Sequence, residues 1–237
     1  HVAYETNDLA EAEMHYAAGV RMMYVAHAAA VRECLFGLTL TQMAQRRFDD
    51  AAATIARLDE LRAGLDPEID SLAARLALAR GDQAAAVRWA NNFRPGALPP
   101  FLQWQEIPAL TAARILAVTG QDEAMRRALD LLAPVAAWAE RSYSAWRRAE
   151  CAALCAVALD GLGRTQAADE ALHTALHLGQ NAGYRRTFLD IGPRLQGPLT
   201  RQTRKRSTAA MARLLLRALA SEQEQQAPPA APAGDSV

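Results

Sequence analysis

A chain of 237 residues with 51% apolar content is long enough for one large domain or two small ones, and buries roughly 70–75% of the surface it exposes when unfolded. Its formal net charge is zero, which argues against non-specific nucleic-acid binding as the main task, because that needs a basic excess. Cys34, Cys151 and Cys155 sit in apolar helical patterns without metal spacing, so no disulfide framework is needed and a reducing cytoplasm is the expected compartment.

The chain opens on His1-Val2-Ala3-Tyr4-Glu5, which reads as the tail of a helix already under way and so as part of a longer protein. No apolar run is long enough to span a bilayer, and no signal-peptide pattern is present. Short polar turns then precede a series of similar helices. Asn7-Asp8 precedes a helix predicted to about Val25, and Arg46-Arg47-Phe48-Asp49 one through Leu61. Gly81-Asp82 precedes one through Phe93, Gly120-Gln121-Asp122 one through Trp138, and Gly163-Arg164-Thr165 one through Gln180. The starts at Asp8, Asp49, Asp82, Asp122 and Thr165 are 41, 33, 40 and 43 residues apart, so each interval holds two helices. Asp or Thr at such a start accepts free backbone N–H groups and, for Asp, complements the positive helix end.

Each helix carries one apolar stripe. Ile69, Leu72, Ala73, Leu76 and Ala79 mark the helix opening at Pro67; Ala85, Ala86, Trp89 and Phe93 mark its partner. Ala124, Ala128, Leu131, Leu132, Val135 and Trp138 form another stripe. Ala145, Ala149, Ala152, Ala153 and Ala156 form a face of small residues only. Ala168, Ala171, Leu172, Ala175, Leu176 and Gly179 form the last, between Gly161/Gly163 and Gly183. Residues 94–100 hold three prolines and read as a loop, and Pro108 and Pro134 are expected to kink or restart their helices. Tyr184–Ile191 reads as a short helix stopped by Gly192-Pro193. A helix from about Ser207 to Glu224, with Met211, Leu214, Leu215, Ala218 and Leu219 on one face, is expected to cap the stack. No alternating strand pattern appears, so the fold expected for residues 1–225 is an all-α solenoid of stacked antiparallel helix pairs. The Pro/Ala-rich residues 226–237 read as a linker.

Two segments carry a family resemblance. Gly163-Arg164-Thr165-Gln166-Ala167-Ala168, followed by Ala171-Leu172, is similar to a tetratricopeptide unit. Ala182-Gly183-Tyr184-Arg185-Arg186-Thr187-Phe188-Leu189-Asp190-Ile191-Gly192-Pro193 resembles the segment closing the repeat domain of MalT-type regulators, ATP-dependent LuxR-family transcription activators. Tyr4-Glu5-Thr6-Asn7-Asp8-Leu9-Ala10-Glu11-Ala12 resembles the Tyr-Glu-x-Asn-Asp-Leu-x-x-Ala unit of the same domain. The resemblance implies a tetratricopeptide-like superhelix that senses a small-molecule inducer or a regulatory protein. It also implies an NTPase module upstream and a DNA-binding helix-turn-helix beyond the linker, so that DNA is contacted only through that downstream domain. A bacterial source fits the abundance of Ala and Arg beside a single lysine, Lys205. A free-standing repeat scaffold that binds a peptide or protein is the alternative.

The first helix of each pair tends to line the concave face of such a stack. There the chain carries Gln103, Trp104, Glu106, Arg114, Tyr143, Trp146, Arg147 and Glu150. Aromatic rings offer stacking area and arginines a planar fork, which suits a polar organic ligand or a peptide. The plainer alternative is that the tryptophans fill gaps between helices and the Arg–Glu pairs are surface ion pairs. Glu170, His173 and His177 share a helical face but lack a fourth metal ligand, and an exposed polar face explains them equally well. Arg201, Arg204, Lys205 and Arg206 read either as a solvated loop or as phosphate contacts. Cys151 and Cys155 read as small buried hydrophobes rather than a thiol sensor. No catalytic constellation stands out, and no cofactor, metal, membrane contact or enzyme activity is expected.

Overall fold

Short polar turns set the helix starts, each by a slightly different device. The Asp8 carboxylate accepts the Glu11 amide, Asp82 accepts that of Ala85, and Asp66 accepts those of Glu68 and Ile69 ahead of Pro67. Asp49, Asp122 and Thr165 fall just inside their helices instead, with Arg47, Gln121 and Arg164 at the cap positions and no side-chain cap bond. At those positions the acids still complement the helix dipole.

The computed structural model describes residues 1–22, 27–61, 64, 66–96 and 106–225. The helices are α1 (Val2–Glu5), α2 (Leu9–Arg21), α3 (Ala28–Ala44), α4 (Phe48–Glu60), α5 (Pro67–Ala79), α6 (Gln83–Asn92) and α7 (Pro108–Val118). They continue with α8 (Asp122–Arg141), α9 (Ala145–Gly161), α10 (Thr165–Ala182) and α11 (Arg186–Leu189). A 3-10 turn (Pro193–Leu195), α12 (Gln196–Gln202) and α13 (Ala209–Glu224) complete the chain. Among the described residues there are no strands.

Each helix from α1 to α10 packs on the next, and α3, α5, α7 and α9 also pack on one another as an inner layer. The second helices of the pairs, α4, α6, α8 and α10, form the outer layer. This is the expected all-α, tetratricopeptide-like superhelix. The helix opening at Leu9 ends at Arg21; part of the stretch expected to extend it to Val25 lies outside the described residues. Pro134 does not interrupt α8. It sits on an exposed face one turn after the exposed Asp130, where a helix hydrogen bond can be given up at least cost. Residues 196–202, unassigned in the sequence, form a further short helix that packs against α10 and α13.

Two apolar cores run through the stack, one from Tyr4 to Leu76 and one from Ala74 to Leu219. Helix α5 serves both. Ile69, Leu72 and Leu76 enter the first core while Ala74 enters the second. The expected stripe is therefore corrected: Ala73 and Ala79 are exposed and Ala74 is buried, because α5 is covered on two sides rather than one. The alanine-rich face of α9 does allow the close approach of α10, with Ala149, Ala153 and Ala156 buried against the stack.

The superhelix turns far enough for α1 to meet α11. The Arg185 amide donates to the Glu5 carbonyl at 2.6 Å. The Thr187 amide and hydroxyl donate to Glu5 Oε2 at 3.1 and 2.7 Å, and Arg186 reaches Asn7 Oδ1 at 3.2 Å. Gly192 makes the sharp exit from this closing segment at φ 81°, ψ −156°, a conformation essentially restricted to glycine.

Candidate functional site

Ring closure leaves a central cavity of about 400 Å³. Its wall takes Leu40 and Met43 from α3, Arg75 and Leu78 from α5, and Arg114 and Val118 from α7. Tyr4, Arg186, Asp190, Ile191, Leu219 and Glu222 close it from the two ends of the chain. The volume lies in the range of small-molecule sites.

Asp190 is the hub of the polar side. It accepts from Tyr4 Oη at 2.6 Å, from Arg75 Nη2 at 2.6 Å and from Arg186 Nε at 2.9 Å. Its side chain is only 10% exposed, and burial works against its charge. Arg186, Arg75 and Arg114 outweigh that and hold the carboxyl down to about 2. Burial and the adjacent Asp190 charge together push the Tyr4 phenol well up. Arg186 also pairs with Glu222 at 2.5 Å, and Arg75 lies 3.6 Å from Glu106 Oε2. Glu106 Oε1 accepts from the hydroxyls of Ser71 and Thr111.

A second branch runs through α9. Arg114 Nη2 donates to Glu150 Oε1 at 2.8 Å, and Arg147 Nη1 donates to Glu150 Oε2 at 2.6 Å. Arg147, 2% exposed, lies over the Trp146 ring at 3.7 Å. The Trp146 indole N–H donates to Thr187 Oγ1 at 3.0 Å, which continues to Glu5. Burial raises the Glu5 carboxyl to about 7, with Asp190 and Glu150 adding to the rise against the Thr187 bonds. The arrangement is a continuous chain of charges and hydrogen bonds from the inner helices to the ring closure. Such a network stiffens the geometry it satisfies and leaves costly orphans when broken.

The residues singled out in the sequence divide sharply. Glu106, Arg114, Trp146, Arg147 and Glu150 come together in this network. The Arg–Glu pairs are not surface ion pairs: Arg114, Arg147, Glu106 and Glu150 are all buried. Tyr143 stands apart, 89% exposed at φ 54° in the turn between α8 and α9. It directs no ring toward the cavity because the turn lies beyond the inner helix. Gln103 and Trp104 lie outside the described residues.

Tyr4, Glu5, Arg75, Arg186 and Asp190 were not singled out as site residues. Four of these five fall inside the two segments that carried the family resemblance, so their signal was present as a motif rather than as a groove pattern. Arg75 interrupts an apolar helix, which is its only local mark.

The remaining candidates take ordinary places. His173 Nε2 lies 3.0 Å from Ser207 Oγ, and Glu170 accepts from Gln166. No cluster of three or more metal-ligating groups occurs among the described residues. Arg201 pairs with Asp160 and Asp169, tying α12 to α9 and α10, while Arg204 and Arg206 are exposed. Cys151 is buried and Cys155 half-buried; burial raises both thiols, Cys155 to about 11. No described helix is long and apolar enough to cross a membrane.

No curated protein matches the chain. A family model described as the MalT-like TPR region matches residues 1–206, which spans every repeat helix and the ring closure described above. The chain therefore belongs to the family of MalT-like tetratricopeptide-repeat regions.

Proposed function

We propose that the chain is the signal-sensing domain of a bacterial, cytoplasmic MalT-type regulator of the LuxR family, and that it receives its signal in the central cavity. The observation that carries this reading is the placement of Asp190. It lies in the cavity wall and also joins α1, α5 and the closing segment. An occupant touching Arg75 or Arg186 competes for the bonds that close the ring. Binding then favours one arrangement of the domain over another, which is what coupling to other modules requires. The domain binds and transmits and carries out no catalysis. DNA is contacted only through a downstream module.

A regulatory protein is the second reading, favoured by the exposed apolar side chains of Val2 on α1, Met14 on α2 and Met22 just after it. A thermal-shift screen against sugars, organic acids and aromatic metabolites tests the first. A ligand at one hundred times its Kd stabilises the fold by about 2.7 kcal/mol. In the full-length regulator, Asp190→Asn should uncouple ligand binding from transcriptional output. A variant that binds and still responds normally would remove Asp190 from signal transmission.

A further inference from the structure

We propose that the central cavity takes a small neutral amide: a molecule of no net charge whose amide edge meets Arg75 and Glu222 and whose aliphatic side group lies against Leu40, Leu78, Val118 and Leu219. This rests on the reading of the cavity as the signal site and adds the chemical class of the signal.

The charges of the wall are matched among themselves. Arg75 pairs with Asp190 at 2.6 Å and lies 3.6 Å from Glu106. Arg186 bridges Asp190 and Glu222, and Arg114 and Arg147 share Glu150. Burial works against the Arg75 and Arg186 guanidiniums, but Asp190 and its neighbours raise both, as expected of cations with counter-charge at hand. Arg114 keeps two donors without a partner, yet both are buried and out of an occupant's reach. The remaining charged group of the wall, Arg46, is exposed, where water screens it. An ion entering the cavity would therefore give up its hydration and find no unmatched counter-charge.

What the cavity does offer is hydrogen bonding of both senses. Arg75 donates through Nη2 to Asp190, and its side chain is 12% exposed, so further N–H groups reach the cavity. Glu222 uses Oε1 for Arg186, while Oε2 has no partner among the described residues and the side chain is 31% exposed. Arg75, Asp190, Arg186 and Glu222 are linked in that order, so the open donor and the open acceptor stand at the two ends of one chain of contacts. An amide answers both without carrying charge: its carbonyl accepts from Arg75 and its N–H donates to Glu222. An ether, ester or ketone accepts but cannot donate. Leu78 and Val118, both half-buried, join Leu40 and Leu219 in an aliphatic wall, so the molecule carries an apolar side group.

Calorimetric titration of the whole chain with a charge series tests the proposal: N-acetyl-leucinamide (neutral), N-acetyl-leucine (anion), leucinamide (cation) and N-acetyl-glycinamide (neutral, without the side group). Molecules of this size bind in roughly the millimolar range. N-acetyl-leucinamide should bind saturably, about tenfold or more tighter than either ion and about tenfold tighter than N-acetyl-glycinamide. Glu222→Gln leaves Arg186 short of counter-charge and should shrink the preference for N-acetyl-leucinamide over N-acetyl-leucine about threefold or more. Equal or tighter binding of either ion overturns the neutral class and leaves the sensor reading standing. Equal binding of N-acetyl-glycinamide overturns the aliphatic contact and the proposal with it, as does a preference that folded Glu222→Gln leaves unchanged. The charge series is read on the unaltered chain, so it decides alone if circular dichroism shows that the variant is not folded. Failure of all the compounds to bind at about 10 mM overturns the amide class too. The sensor reading then stands or falls on the sugars, organic acids and aromatic metabolites of the thermal-shift screen.

Discussion

The phenol of Tyr4 donates to Asp190 Oδ2 at 2.6 Å although 186 positions separate the two residues. This contact joins the first helix to the segment that closes the superhelix, and it does so beside two arginines. Removing Asp190 would leave Arg75 and Arg186 short of a buried counter-charge. Asp190→Ala should therefore cost about 3–5 kcal/mol, against about 1 kcal/mol for Tyr4→Phe, which removes one hydrogen bond. Urea denaturation monitored by helicity measures both. A loss below about 1 kcal/mol for Asp190→Ala would show that the arginines are satisfied without it.

Glu5 gives the domain a pH dependence of the less usual sign. Its carboxyl rises from 4.5 unfolded to about 7 folded, mainly through burial. Between those values the folded state binds the extra proton, so stability is greatest at the acid end and falls as pH rises toward 7. Glu33, also raised by burial to about 7, contributes the same slope. Asp190 works in the opposite sense, with its contribution lost only as pH falls from 3.8 toward about 2. Glu5→Gln keeps an acceptor for Thr187 and should stabilise the protein at pH 8 by roughly 1–3 kcal/mol while flattening the slope. Melting temperatures across this window decide it; a wild-type stability that rises from pH 5 to 7 would contradict the assignment.

Two glycines support the closing segment by different means. At Gly192 the backbone angles exclude other residues, so Gly192→Ala should cost about 1–3 kcal/mol through strain alone. At Gly179 an added Cβ would come within 2.7 Å of the Phe188 ring, which packs α11 on α10. Gly179→Ala should also cost about 1–3 kcal/mol, by overpacking. The double variant Gly179→Ala/Phe188→Leu separates the mechanisms. It should recover part of the loss, whereas Phe188→Leu should not rescue Gly192→Ala.

Tyr143 supplies a control outside the network. Its side chain is exposed and its backbone is left-handed. Tyr143→Asn should leave ligand binding unchanged and raise stability by up to about 1 kcal/mol, because Asn tolerates that conformation better. A marked loss of ligand affinity would return this turn to the site.

Local architecture was legible in the chain before any contact between distant residues was known. Apolar stripes at helical spacing, polar turns with Asp or Gly, and a spacing of two helices per repeat specify an all-α stack. Those signals depend on residues a few positions apart, where helix geometry alone dictates which side chains share a face. The motif segments at Tyr4–Ala12 and Ala182–Pro193 marked the family, which the match over residues 1–206 shows. Tertiary structure alone decided which charges are buried. Arg147 and Arg148 are adjacent and chemically identical, yet Arg147 is buried on Trp146 while Arg148 pairs with the largely exposed Glu140. Helix phase separates the two, but only the packing of α7, α9 and the closing segment makes the inner phase a sealed one. The same holds for Asp190, whose partners Tyr4 and Arg75 reach it only because the superhelix turns far enough to bring them together. Long-range charge pairing has no local periodicity to announce it. It is set by the accumulated rotation of successive helix pairs, a property of the whole stack.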